Sequence, residues 1–200
     1  PNSLQLDALQ TAIQRWHEKW KVRSDVRIRL TAFRGGEGAY APETDDVSWV
    51  ATGTTMTDQG FVLPSKGLDV DIYQDLVKHP GPLSKVKNLA STVYIQAARH
   101  AAQRGWGDAL VLNPDQRIIE SSRSNLFVVS NGVLYTPSLE DGCVGGIMRS
   151  VLIRTAMKHG VKVYEAALNP QTLLQADELF LTNAVRGIEW VSSYKTKRYF

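Results

Sequence analysis

A mixed α/β fold in two parts is predicted by three observations. Helical and strand periodicities succeed one another along the chain, a stretch rich in proline and glycine lies between residues 60 and 82, and short apolar strands dominate the chain beyond it. The 200 residues, 43% hydrophobic, are enough for one ordinary domain or two small ones with a real core. A net charge of +3, from 23 basic and 20 acidic residues spread along the chain, gives nucleic-acid binding little support. The single cysteine, Cys143, excludes an intramolecular disulfide and a multi-cysteine metal site, and fits a reducing compartment, by default the cytoplasm. No run reaches the roughly 18 to 20 apolar residues of a membrane helix, and the first residues lack a basic segment followed by an apolar one.

Near the start, Leu6, Leu9, Ile13, Trp16 and Trp20 recur at spacings of three and four, which predicts an amphipathic helix. The next run, "VRIRLTAF", alternates as a half-buried strand does, with Val26, Ile28, Leu30 and Ala32 on one face and Arg27, Arg29, Thr31 and Phe33 on the other. The arginines suit a solvated sheet surface or a floor that aims guanidinium groups at a carboxylate. Gly36, Gly38 and Ala41 imitate a dinucleotide-binding loop, but Pro42 and the acidic residues after it forbid the helix such a loop opens onto. A strand around "VSWVAT" follows. The Gly60 to Pro82 stretch then reads as a domain linker.

Beyond the linker, "NLASTVYIQAARHAAQRG" predicts a helix with Leu89, Val93 and Ala97 on one stripe and Gly105 at its end. Short strands are expected at "ALVL", "RIIE", "NLFVV" and "VLYT", the last two joined by an Asn-Gly turn that marks a hairpin. Gly145 and Gly146 open onto a helix that closes at Gly160. After it come a strand at "VKVYEAAL", a short helix at "PQTLLQA", and strands at "ELFLTNA" and "IEWVSSY".

Four scattered histidines offer no metal-ligand spacing. The lone Ser192-x-x-Lys195 pattern falls in a strand without supporting motifs. Two places could hold an anion: the glycine-led start of the helix near Ile147, whose first amides are free, and the "LTNAVRG" loop with Thr182 and Asn183. Taken alone, Gly145-Gly146 is also a tight loop-to-helix turn, Lys85 a surface lysine, and Glu120 a cap on a surface turn.

Their order along the chain carries more. Lys85, "ESSRSNLF", "NGVLYTP", "VGGIMR" and "DELFLTNA" together resemble the class IV aminotransferases, the fold type IV family of pyridoxal phosphate enzymes, most specifically between Glu120 and Arg149. The resemblance implies a small open α/β domain (1–78, with a linker at about 60–82), a larger pseudo-barrel domain (83–200), and pyridoxal 5'-phosphate between them. It implies that Lys85 forms the Schiff base with the cofactor aldehyde and moves the proton between Cα and C4′. Glu120 would face the pyridine nitrogen and keep it protonated. The backbone amides of Ile147 and Met148 would hold the phosphate at a helix start, with Asn183 and Ala184 in the second phosphate-side loop. Arg29 aligns with a pocket arginine of branched-chain enzymes, and Arg34 with a carboxylate-binding arginine of D-amino-acid enzymes.

The implied activity is transamination between an amino acid and a 2-oxo acid, in a homodimer, without a metal, nucleic acid or membrane partner. Two alternatives stay open: a 4-amino-4-deoxychorismate lyase releasing pyruvate, and a noncatalytic or inactive relative. Family members begin about half a domain before the helix at Leu6, with an arginine that binds the cofactor phosphate, so the chain is expected to be a portion of a longer one. Leu89 stands where branched-chain enzymes carry an aromatic residue, which leans toward the D-amino-acid and lyase branches.

Overall fold

The computed structural model describes residues 6–21, 25–56 and 61–200. The chain divides into two units, 1–60 and 61–200. In the first, a helix, α1 (Leu6–Trp20), precedes an antiparallel pair, β1 (Val26–Arg34) and β2 (Val47–Thr55), in continuous register from Val26 opposite Thr55 to Arg34 opposite Val47. Of the five apolar positions expected on the helix face, Ile13 and Trp16 are half-buried. The side chains of Leu6, Leu9 and Trp20 lie outside the described residues. Trp16 explains the glycine in the middle of β2: a Cβ at Gly53 would run into its indole.

The second unit contains β3 (Leu68–Tyr73), α2 (Thr92–Arg104), β4 (Asp108–Leu112), β5 (Ile118–Ser121), β6 (Asn125–Ser130), β7 (Val133–Thr136), α3 (Ile147–Lys158), β8 (Val163–Glu165), α4 (Pro170–Gln175), β9 (Glu178–Asn183), β10 (Gly187–Tyr194) and β11 (Lys197–Arg198). The strands form one curled sheet in the order β5-β4-β3-β10-β9-β6-β7-β8, with β11 on the end of β10. The division at residue 60 differs from the boundary expected at 78. Residues 68–73, read as linker, form β3, which runs parallel to both β4 and β10 in the body of the sheet. Leu68, Val70 and Ile72 alternate with Asp69 and Asp71, and burial of Val70 and Ile72 outweighs the prolines and glycines around them.

Strand alternation separates two cores. Val70, Ile72, Leu110, Leu112, Leu126 and Leu181 point into one cluster. Ala109, Val111 and Ile119 turn the other way and meet Ala97 and Ala101 of α2, together with Cys143. The small alanines let α2 lie close to the strands, and Gly105, at φ 73°, ends the helix. The hairpin turn takes positive φ at Asn131 (51°) and Gly132 (73°), as an Asn-Gly turn should. Asn169 and Thr172 close a reciprocal cap at the start of α4. Among the described residues no helix is long and apolar enough to cross a membrane.

Burial pushes the Cys143 thiol up to about 12 and the Tyr194 phenol up to about 12, and it raises Tyr199 further. In the unfolded chain these groups ionise near about 8.5 for the thiol and about 10 for the phenols. Raised folded-state values stabilise fully below those points, and the contribution is lost as pH rises through the interval up to the folded values. Urea midpoints are therefore expected to fall progressively above about pH 8.5, by at most about 1.4 kcal/mol per pH unit per group, with Cys143→Ala flattening the first part of the decline. Gly53→Val should destabilise the first unit by about 1–3 kcal/mol, measured by denaturation monitored through tryptophan fluorescence.

Candidate active site

Strict alternation along β5 would send Glu120 to the same side as Ile118, into the interior of the curl. It does not go there. Leu112 pairs with Ile118, but the next residue back along β4, Val111, pairs with Glu120, so Ile119 is one residue too many. This β-bulge re-aims Glu120 to the α2 side, where Ile119 already packs. The turn after it is pinned from below. Buried Asp108 accepts hydrogen bonds from Ser121 Oγ (2.8 Å) and Ser122 Oγ (2.6 Å) and pairs with Arg123 Nε at 3.5 Å, while Ser121 N donates to Ser124 O (2.8 Å). Beyond that turn the sheet splits: β5 continues on β4, whereas β6 joins β9.

Glu120 is 3% exposed at this split, and donors from three directions converge on it. Oε1 accepts from Lys78 Nζ (2.9 Å) and from the Tyr94 hydroxyl on α2 (2.6 Å). Oε2 accepts from Val144 N (3.0 Å), with Asn125 Nδ2 at 3.5 Å. A buried acidic side chain costs several kcal/mol unless such partners satisfy it. Burial first, and then the charge and hydrogen bond of Glu120, push the Tyr94 phenol far above its ordinary range, so Tyr94 remains a donor. Lys78 Nζ also lies 5.2 Å from the centre of the Tyr94 ring.

Lys85 is not among these donors. Its amine pairs with Glu140, on the 3₁₀ turn Leu139–Asp141, and its side chain is 35% exposed. Its backbone belongs to the same neighbourhood, because Gly145 N donates to Lys85 O (2.8 Å) one residue after the Val144 amide that holds Glu120.

Ile147 and Met148 begin α3, where Gly146 is the N-cap and supplies no side-chain hydrogen bond; no acidic residue sits in the first turn. The first amides of the helix therefore have no side-chain cap. A Cβ at Gly146 would force the Asn125 side chain to move, since its Oδ1 fills that space. Asn125 stands opposite Thr182 across the β6–β9 pair, so their side chains share the face turned away from the curl interior. Thr182 Oγ1 is buried and has no hydrogen-bond partner. The Asn183 side chain is committed to its own turn: Oδ1 accepts from Val185 N (2.9 Å) and Arg186 N (2.8 Å), and Nδ2 donates to Ser124 Oγ (2.8 Å). Ala184 is exposed and offers only backbone.

Arg29 and Arg34 belong to the first unit, both exposed, opposite Thr52 and Val47 and five residues apart on opposite faces of β1. Arg34 Nη2 reaches Ala39 O at 3.5 Å. Sequence reasoning did not single out Lys78, Tyr94, Asn125 or Asp108. Tyr94 had a signal, since with Ala97 and Ala101 it lies at i, i+3 and i+7 on the buried stripe of α2. Lys78 had none, because its partner is 42 residues away.

The same stretch of chain is shared with known proteins. The family model "Amino-transferase class IV" matches residues 1–194. A branched-chain-amino-acid aminotransferase from Pseudomonas aeruginosa is 31% identical over 114 residues, 56% of this chain and 37% of the relative. The chain thus spans little more than a third of that curated relative in the matched stretch. Among crystal structures, a Legionella pneumophila protein provisionally assigned as a 4-amino-4-deoxychorismate lyase superposes with a TM-score of 0.83 at 25% identity, over 100% of this chain and 73% of that one. The PLP form of a branched-chain aminotransferase from Thermobaculum terrenum gives a TM-score of 0.83 at 23% identity, over 99% and 65%. The bulged strand with its buried glutamate, the glycine-led helix and the loop after β9 thus lie inside a family match that runs almost the length of the chain: the chain belongs to the class IV aminotransferase family.

Proposed function

We propose that this chain carries the cofactor-binding part of a pyridoxal-phosphate-dependent aminotransferase, moving an amino group between an amino acid and a 2-oxo acid. The observation that carries the reading is Glu120, a buried carboxyl group re-aimed by a bulge and held by donors on both oxygens, close in the backbone to the uncapped start of α3. The residues fit a phosphorylated pyridine: acceptor oxygens at one place, free helix amides at another, and the partnerless Thr182 hydroxyl on the Asn125 face. When bound, pyridoxal phosphate supplies an aldehyde carbon that takes up the amino group and a ring that draws electrons from the breaking bond.

Each residue then has one task. Glu120 holds a proton at the ring nitrogen, so that the ring stays electron-deficient. Ile147 and Met148 amides, at the positive end of α3, bind the phosphate, and the backbone at Asn183 and Ala184 borders it. Lys85 is the attachment point and the proton carrier between Cα and C4′. The choice of Lys85 over Lys78 has a chemical reason. The aldehyde carbon lies across the ring from the nitrogen, so a lysine in direct contact with Glu120 is poorly placed to reach it, and Lys85, seated away on Glu140, is not so constrained. Arg29 or Arg34 takes the substrate carboxylate. A homodimer in the cytoplasm completes the reading.

The structural likeness to the Legionella protein favours a second reading, a lyase that uses the same residues to release pyruvate without an acceptor. Adding pyridoxal phosphate should produce a visible absorbance band that Lys85→Ala lacks, and borohydride reduction should leave a pyridoxyl group on the peptide containing Lys85. Glu120→Gln should still bind the cofactor but turn over about a hundredfold more slowly or worse. Product formation that depends on a 2-oxo acid supports transamination; pyruvate release without one supports the lyase. No visible band in the wild-type protein contradicts both.

A further inference from the structure

Lys78 closes a ring of contacts that joins the two ends of the proposed site. Its Nζ donates to Glu120 Oε1 (2.9 Å) and to the Ser84 carbonyl (2.9 Å). The next residue, Lys85, accepts at its carbonyl from Gly145 N (2.8 Å), and the residue before Gly145, Val144, donates to Glu120 Oε2 (3.0 Å). The circuit therefore runs from Glu120 through Lys78 to Ser84 and Lys85, across to Gly145 and Val144, and back to Glu120. Of its four hydrogen bonds, two come from the Lys78 amine and the other two from backbone amides. Lys78 is the one side chain that closes it.

The parts around Lys78 are held. Its own amide donates to Leu112 O (2.9 Å), and its side chain is 12% exposed, against the Tyr94 ring. The Ser84 carbonyl is fixed by a tight turn in which Ser84 Oγ donates to Gly81 O (2.7 Å) and Ser84 N to the same oxygen (3.1 Å). An ammonium suits this position because it brings several donors on one atom and can serve a carboxylate and a carbonyl together. A methionine of similar length could do neither.

We propose that Lys78 is a positioning residue: by bridging Glu120 to the backbone next to Lys85, it sets the gap between the group that faces the cofactor ring nitrogen and the amine that attaches the cofactor. This rests on the function proposed above.

The test uses the wild-type protein, Lys78→Met, Lys78→Arg and Lys85→Ala, each titrated with pyridoxal phosphate and followed by visible absorbance and by circular dichroism in the cofactor band, with borohydride trapping and peptide mass mapping. Lys78→Met should still trap the pyridoxyl group on Lys85, but with cofactor affinity about tenfold weaker or more, the scale of one charge-assisted bond, and with loss of the dichroism per bound cofactor. Lys78→Arg, which keeps the charge and more than one donor, should recover much of both. Should the methionine variant not fold, Lys78→Gln, too short to bridge both acceptors, is read in the same way. Affinity and dichroism equal to wild type in the folded Met or Gln variant overturn the proposal, as does a wild-type label on Lys78. A wild-type protein that binds no cofactor overturns the proposed function instead, so the two failures are distinct.

Discussion

The structure of the site depends on one buried carboxyl group. Glu120 sits where two strands part, out of reach of solvent, and only because a single extra residue in β5 turns it away from the apolar interior of the curl. Without the bulge the same side chain would enter a cluster of leucines, isoleucines and valines with no donor to meet it. With it, Glu120 gathers the chain around itself: Lys78 from the segment after β3, Tyr94 from α2, Val144 from the approach to α3.

That arrangement explains features that look unrelated in the sequence. Asp108, at the first position of β4, is buried and polar because it secures the serine turn that lets β5 end beside β6. Gly146 has no side chain because Asn125 occupies the space, and Asn125 in turn donates to Val144 O at 2.8 Å, in the same segment whose amide binds Glu120. Alanines on α2 bring Tyr94 close enough to reach the carboxyl group. Packing and polar contacts are thus parts of one construction.

Much of this was legible in the sequence and some was not, for reasons that can be stated. The Asn-Gly hairpin, the glycine-ended α2, the glycine-led α3 and the strand pair flanking it are fixed by local chemistry, and a local reading recovers them. β3 was masked because the surrounding Pro64, Gly67, Pro80 and Pro82 outweighed a six-residue alternation whose partners, β4 and β10, are distant in sequence. The motif around Glu120 drew attention to a residue that is buried at the strand split, but period-two reasoning would aim it at the other face, since a bulge is invisible until the register is known. Lys78 is silent in the sequence because the carboxyl group it meets lies 42 residues away.

Under the proposed function, Glu120 holds a proton on the ring nitrogen of a bound pyridine cofactor. Nitrogen NMR of the protein loaded with pyridoxal phosphate labelled at the ring nitrogen tests it most directly. A resonance at the pyridinium position is expected in the wild-type protein at neutral pH, moving to the unprotonated position in Glu120→Gln. An unprotonated nitrogen in the wild-type protein, or a resonance that Glu120→Gln leaves in place, would contradict it.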